Sequence, residues 1–318
     1  MSKINESQIK MALSAAKDVS AAKDERRKYA NLRQADLLES SQIRTNQRAL
    51  ENLVASYLTK AGFEVDKFEK IREQHQTELR RILEERKAEA VKHSSYVKET
   101  FRYGVDNRVK TVEQLQAPPK YELLNSPFLI WQTQGIDFPE THVEPSNSRA
   151  KFTLHSDKSS GSEEMSFYFL WDNPSDKFAV INVDGYLIVN GFCRCGSDGG
   201  FFPGDRRSGL VLKARLHLLE WWNQPPTQPL PKVDQIQEVL RLSTNTGGWS
   251  DPGAIEFEEV FRGYDLRYEL FLIPPKGVVV FEVALSIILW NADGSVDVDF
   301  ASGDFQVGSP GVLLSILT

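Results

Sequence analysis

The distribution of proline is the feature that most constrains how this chain can fold. All 15 prolines lie at or after Pro118, and the preceding 117 residues contain only two glycines. Proline interrupts helices and glycine weakens them, so the first part can form long helices and the second part cannot. We therefore predict an α+β chain of more than one domain. It would comprise a helical arm over 1–117, a proline-containing hinge over 118–127 and a β domain over 128–318.

The predicted arm carries an apolar seam that is typical of coiled-coil-like packing. Residues 5–60 are rich in Ala, Leu, Gln, Glu, Lys and Arg, which lose little on entering a helix. Gly62 then marks a helix end, and a second helical pattern begins near Val65. Apolar residues recur at spacings of three, four and seven. The predicted interface along both helices comprises Ile43, Leu50, Leu53, Tyr57, Phe68 and Ile71.

Two arrangements of the arm remain open. The two helices either fold back as an antiparallel hairpin within one chain or meet the same helices of other chains in an oligomeric bundle. A helix pair alone buries too little apolar surface to be stable. We therefore expect the arm to associate with itself, giving a homo-oligomer, or with another protein.

Short apolar or alternating runs begin at Phe128 and continue to the end of the chain. They recur at intervals of about 8 to 15 residues and are separated by turn residues, as in sandwiches and barrels. Long loops, such as 139–150 and 223–232, favour crossings between two sheets over a plain meander. The pattern predicts an all-β sandwich with a jelly-roll-like topology.

Charge differs between the two parts. Residues 1–117 carry 23 Lys and Arg against 18 Asp and Glu, net +5, whereas the remainder carries 15 against 26, net −11. The positive charge is spread along the arm without a clustered stripe, so we expect no specific nucleic-acid partner. The start lacks the apolar core of a signal peptide, and no apolar run reaches the roughly 18 residues of a transmembrane helix. We expect a cytoplasmic protein, with release in a particle or by signal-independent export left open.

The cysteines and one acidic turn were considered as metal sites. Cys193 and Cys195 lie two residues apart in a predicted strand, so their side chains share a face. No second cysteine or histidine pair completes a tetrahedral site, which favours buried or half-buried free thiols. The Asp293-Gly294 turn lacks the spacing of an EF-hand and is typical of a tight hairpin. We predict no metal, no cofactor and no catalytic residue.

Two loops present tryptophan outside the strand pattern. Trp222 and Asn223 precede a proline-rich segment, and Trp249 and Asp251 lie in a glycine-rich loop. An aromatic ring in such a loop either binds a sugar or a partner protein, or plugs the end of the sandwich. In the carbohydrate-binding alternative, these four residues form the ligand-binding rim and the ligand is a glycan.

No familiar catalytic motif in the sequence identifies a function. The chain contains no HExxH or GxSxG motif and no evident Ser/His/Asp order. The leading hypothesis is a non-enzymatic structural or interaction protein that self-associates or binds a partner through its arm and displays an acidic β-sandwich head. The alternative is a carbohydrate-binding, lectin-like head on a helical stalk. A second alternative is an enzyme whose active site cannot be identified from sequence.

Overall fold

Two antiparallel β-sheets and a long helix make up the described part of the chain. The computed structural model describes residues 53, 55–57, 59–62, 65–114, 120–136, 139–156, 160–200, 206–221, 230–247 and 251–317. The helix α1 spans Val65–Gln114. A turn precedes it at Gly62, which has a φ of 87° and donates its amide hydrogen to the carbonyl of Thr59. This turn confirms the predicted helix end.

The strands form two sheets, which we call the large sheet and the small sheet. The large sheet has eight strands: β1 (Lys120–Leu124), β3 (Glu140–His142), β4 (Ser148–Lys151), β5 (Thr153–Ser156), β7 (Ala179–Gly200), β10 (Asp251–Ile273), β12 (Gly294–Asp299) and β13 (Gln306–Leu317). The small sheet has five strands in the order β2 (Leu129–Gln132), β6 (Gly161–Asp172), β11 (Val278–Ala292), β8 (Arg206–Trp221) and β9 (Leu230–Thr246).

The strand β7 organises the large sheet. The strand β10 pairs with almost its whole length, while β13 and then β12 pair with it along the other edge. Every second side chain of β7 faces the small sheet, so Ile181, Val183 and Leu187 are fully buried. A Cβ at Gly185 would lie 3.0 Å from a methyl of Leu216, so glycine permits the two sheets to approach here.

The core lies between the two sheets. Large side chains with no solvent exposure come from both inner faces: Phe167 and Phe169 on β6, Phe281 on β11 and Leu216 on β8. Their interdigitation accounts for the alternation seen in the sequence, because residues at i and i+2 of a strand face the same side. The predicted β-sandwich is confirmed.

Cys193 and Cys195 belong to this core. Both are buried free thiols, as predicted. Burial raises the pKa of both thiols, and the nearby carboxylate of Glu256 helps raise that of Cys195 to about 11. Neither is therefore a thiolate near neutral pH.

The Asp293-Gly294 turn corrects the predicted hairpin. The strand before it, β11, belongs to the small sheet, whereas β12 pairs with β5 and β7 in the large sheet. The turn therefore carries the chain from one sheet to the other. Asp293 has a φ of 55°, which a short polar residue can tolerate at such a corner. The described residues contain no group of three His, Cys, Asp or Glu side chains placed to hold a metal ion.

The predicted α+β class with a separate helical arm is wrong. The described protein is mainly β, and α1 packs on the outer face of the large sheet. Leu83 and Ala90 of α1 are buried against Phe192 of that sheet and Phe305, which directly precedes β13. Residues 120–124, inside the segment predicted as a hinge, form β1 and pair with β13. The sequence could not reveal this docking because the apolar residues that receive the helix, Phe192 and Phe305, follow Leu83 and Ala90 by about one hundred and about two hundred positions. The division into three domains remains a prediction.

The predicted coiled-coil seam is not formed by the described residues. Leu53, Tyr57 and Ile71 are 55%, 62% and 55% exposed. Of the other predicted seam residues, Ile43 and Leu50 lie outside the described residues, and for Phe68 only the backbone is described. The apolar contacts of α1 come instead from its middle, where the helix meets the large sheet.

Within the described residues, no helix combines the length and apolar character needed to cross a bilayer.

Candidate functional site

A cleft of about 250 Å³ lies between α1 and the outer face of the large sheet. Its helical wall consists of Gln76, Leu79 and Arg80, which fall within one turn. Side chains at i, i+3 and i+4 share a helix face, so these three residues look toward the sheet together. Gln76 and Leu79 are half-buried, whereas Arg80 is exposed.

Three strands supply the floor of the cleft. The strand β7 contributes Arg194 and Gly196, β12 contributes Ser295, and β10 contributes Gly253 and Ile255. Ser295 lies directly opposite Gly196 in the strand register, and Gly196 lies opposite Ile255. Residues paired in this way stand on the same face of a sheet. The centre of the floor is therefore one row of three neighbouring positions, and Arg194 and Gly253 lie in the adjacent rows.

Arg194 is held by residues of the adjacent strands. Its Nε donates a hydrogen bond of 2.7 Å to Oδ2 of Asp297, and its Nη2 bonds the same carboxylate and Oγ of Ser295. The other carboxylate oxygen of Asp297 lies 2.5 Å from Nδ1 of His155. His155, Asp297 and Arg194 are register partners on β5, β12 and β7. The cross-strand pairs thus fix the guanidinium at the edge of the cleft.

The floor of the cleft includes two glycines, which have no side chain to project into it. A Cβ at Gly196 would meet its nearest atoms at 3.6 to 3.7 Å, so the position has room for a side chain and leaves that space to the cleft. Gly253 has a φ of 93°, and a Cβ there would lie 2.9 Å from the carbonyl oxygen of Ser197. Glycine is therefore required at Gly253.

The position of the helical wall depends on contacts farther along α1. Leu83, Ala90 and Val91 pack against aromatic residues of the large sheet. Lys87 adds an ion pair, with its Nζ 2.5 Å from Oδ2 of Asp299. Burial acts to raise the pKa of Asp299, but hydrogen bonds from Lys87, Ser302 and the backbone outweigh it, so this pKa is lowered. The wall is thus anchored by apolar contacts and by a pair that is charged near neutral pH.

Of the sequence-predicted rim, only the backbone of Asp251 is described, and Asp251 is not among the residues that line the cleft. Asp251 begins β10, opposite Gly200 and two residues before Gly253 of the floor. Trp222, Asn223 and Trp249 lie outside the described residues, so their part in a site stays a prediction.

A second polar cluster lies on the outer face of the small sheet but is closed. The carboxylate of Glu282 has no solvent exposure. Its Oε1 accepts hydrogen bonds from Ser166 and Tyr168 at 2.9 and 2.8 Å, and its Oε2 lies 3.2 Å from Nδ1 of His217. Ser166 bonds to the glutamate and not to the histidine, so the set lacks the order of a nucleophilic triad. It is a satisfied buried network without room for a ligand.

Sequence reasoning missed the residues that line the cleft. Gln76 and Arg80 lie within a charge-rich helix, where they resemble any solvated face. Arg194 did carry a signal: it lies between two cysteines that both face the core, so its side chain has to point outward. The pattern predicts that the side chain of Arg194 points outward, but it does not predict its partner Ser295, which lies about a hundred residues later in the chain.

No protein-family model matches the chain, and no curated protein matches it. Among solved structures, the carbohydrate-binding module TmCBM61, solved with β-1,4-galactotriose, is 12% identical and covers 57% of this chain and 90% of its own, with a TM-score of 0.19. The mannan-recognising module TmCBM27 is 16% identical and covers 61% and 97%, with a TM-score of 0.20.

A third structural match comes from a virus. The enzymatically active domain of bacteriophage CBA120 tailspike protein 4 is 10% identical and covers 59% of this chain and 19% of its own, with a TM-score of 0.17. Sequence identities and TM-scores this low do not indicate a function for this chain.

Proposed function

We propose that this protein is a non-enzymatic binding protein that takes a short carbohydrate in the cleft between α1 and the large sheet. The observation that carries the proposal is the combination of Arg194, Gln76 and Ser295 with the apolar side chains of Leu79 and Ile255 around one opening. Sugars present hydroxyl groups around an apolar ring face, so they need both kinds of partner.

The polar groups of the cleft suit hydroxyl recognition. Arginine and glutamine each offer several hydrogen-bonding atoms in a plane, and serine can donate or accept. Arg194 is already positioned by Asp297, so little side-chain entropy is lost when it binds. Leu79 and Ile255 provide apolar surface from opposite walls, and Gly196 lets a ring approach the sheet.

The size of the cleft limits the ligand. Its volume of about 250 Å³ is below the roughly 300 to 1,000 Å³ of sites for drug-sized molecules. One or two sugar rings are therefore the expected occupants, with a longer chain extending toward solvent past Arg80.

The same lining supports binding without chemistry. Among the described residues of the cleft, Asp198 is the single carboxylate, and none is histidine or cysteine. Hydrolysis of a glycosidic bond ordinarily needs two carboxyl groups across the scissile bond. We therefore propose recognition alone.

The test is glycan binding by a matched pair of floor variants. We expect glycan-array screening followed by calorimetry to find a ligand for the wild-type protein, and Gly196→Leu to abolish its binding because the side chain fills the cleft. Gly196→Ala adds one methyl at ordinary contact distance and should retain most of the affinity. Circular dichroism and thermal unfolding establish that both variants fold. Equal binding by wild type and a folded Gly196→Leu variant would contradict the proposed site.

A further inference from the structure

The cleft holds hydrogen-bond donors that the protein itself does not use. Arg194 engages Asp297 and Ser295 through Nε and Nη2, and its Nη1 has no acceptor within the described residues. Arg80 forms no ion pair or hydrogen bond with any residue of the described ranges. A guanidinium carries five donor hydrogens, so both arginines have donors to spare beside the same opening.

The neighbouring arginine shows that this helix can neutralise a guanidinium. Arg81 bonds Glu78 through Nη2 at 2.6 Å and also pairs with Glu85. Arg80 has Glu84 one turn ahead of it, yet no ion pair forms between them among the described contacts. Two adjacent arginines therefore differ in surroundings. The guanidinium of Arg81 pairs with two glutamates of the helix, whereas Arg80 lines the cleft and its guanidinium pairs with no described residue.

The acidic groups near the cleft do not remove this excess of donors. Asp297 is engaged by both Arg194 and His155. Asp198 lines the cleft and is exposed, so Asp198 and Asp297 together balance the formal charges of Arg80 and Arg194. The excess at the opening is therefore one of guanidinium N–H donors and not of net charge, and such donors favour an oxyanion over a neutral ligand.

We infer that the ligand of the cleft is an acidic carbohydrate, whose carboxylate or sulfate group is bound by Arg80 and by Nη1 of Arg194. This inference rests on the proposed carbohydrate-binding function and narrows its substrate class. Guanidinium groups match the geometry of these oxyanions and form charge-assisted hydrogen bonds with them. Gln76 and Ser295 are left to the sugar hydroxyls.

The experiment compares three ligands of similar size by calorimetry at low salt. They are an oligogalacturonate, its methyl ester and a sulfated galacto-oligosaccharide, which present a carboxylate, no charge and a sulfate. We expect an acidic ligand to bind at least about tenfold more tightly than the methyl ester. Raising salt from about 50 to about 500 mM should weaken acidic binding and leave binding of the ester nearly unchanged.

Two adjacent helix variants supply the control. Arg80→Gln should lower the affinity for the acidic ligand about tenfold, toward that of the ester, whereas Arg81→Gln should leave it unchanged. Preference for the sulfated ligand alone would support the inference and identify the anion as a sulfate ester. Equal affinity for ester and acid would overturn the inference while leaving the proposed function intact. Failure of every carbohydrate, charged or neutral, to bind would overturn both.

Discussion

Individual charged residues occupy two opposite situations in this protein. Glu282 is fully buried in the small sheet and is surrounded by hydrogen-bond donors from Ser166, Tyr168 and His217. Arg80 and Arg194 border an open cleft and retain unused donors. A buried charge is stable only when hydrogen-bond partners surround it, whereas an exposed charge is solvated by water and stays accessible to a ligand. The first arrangement therefore supports the fold and the second is suited to binding.

Removing one donor to Glu282 tests the first arrangement. Tyr168→Phe deletes the 2.8 Å hydrogen bond to the carboxylate and keeps the buried ring. We expect the free energy of unfolding in urea to fall by about 1.5 to 3 kcal/mol, the usual range for a hydrogen bond to a charged group. Tyr121→Phe is the control, because this half-buried hydroxyl makes no hydrogen bond with the described residues, and its effect should stay within about 0.5 kcal/mol. Equal effects of the two changes would contradict a structural role for the network.

Among the elements, α1 and the large sheet form the contact that creates the cleft. The helix buries Leu83 and Ala90 against Phe192 and Phe305, and Lys87 pairs with Asp299 of β12. The helix wall and the sheet floor therefore keep their relative position only while this contact holds. The proposed binding in the cleft would therefore depend on residues outside its lining.

The Lys87–Asp299 pair makes this contact sensitive to acid. The pKa of Asp299 in the folded protein is lowered, so its stabilising effect is complete above the unfolded-state pKa of about 3.9 and is lost as pH falls through the folded-state value. Asp299→Asn should lower the free energy of unfolding by about 1 to 3 kcal/mol at pH 7. The difference from wild type should shrink below about pH 4.

A matched substitution separates this effect from a general loss of charge. Asp176→Asn removes an aspartate whose side chain is 91% exposed and which pairs with Lys276 at 3.1 Å. Exposed pairs contribute little, so we expect nearly the same stability as wild type between pH 7 and pH 3. Urea unfolding of the three proteins at both pH values is the measurement. A difference for Asp299→Asn that does not change with pH would show that the pair acts by packing alone.

Elements were predicted more successfully than their assembly. Alternation of apolar residues indicated the sandwich, and the spacing of Cys193 and Cys195 indicated a shared buried face. The hairpin at Asp293 was wrong because a local turn pattern is the same whether the next strand joins its own sheet or the opposite one. The docking of α1 and the cleft were missed because both depend on strand register between distant segments. A sequence pattern with a period of two indicates which side chains share a face of a strand, but it does not indicate which strands pair with each other.

In the whole molecule, the last described strand, β13, pairs with the first, β1, in the large sheet. The strand β13 lies between β1 and β7, with Leu314 opposite Glu122 on one side and Val183 on the other. The pairing of β1 with β13 joins residues almost two hundred positions apart, so loop-closure entropy opposes it until the rest of the fold is formed. The whole domain should therefore depend on β13 as strongly as on any central strand.

Neighbouring leucines on β13 test that dependence. Leu314 is fully buried in the core between the sheets, whereas Leu313 faces outward and is half-buried. Leu314→Ala should lower the free energy of unfolding by about 2 to 5 kcal/mol, the cost of a core cavity, and Leu313→Ala by about 1 kcal/mol or less. Tryptophan fluorescence in urea is the suitable readout, because four tryptophans lie in strands of the small sheet, which shares the core with β13: Trp131, Trp171, Trp221 and Trp290. A larger effect at Leu313 would mean that β13 pairs one residue out of this register, since a one-residue slip exchanges the two faces of a strand.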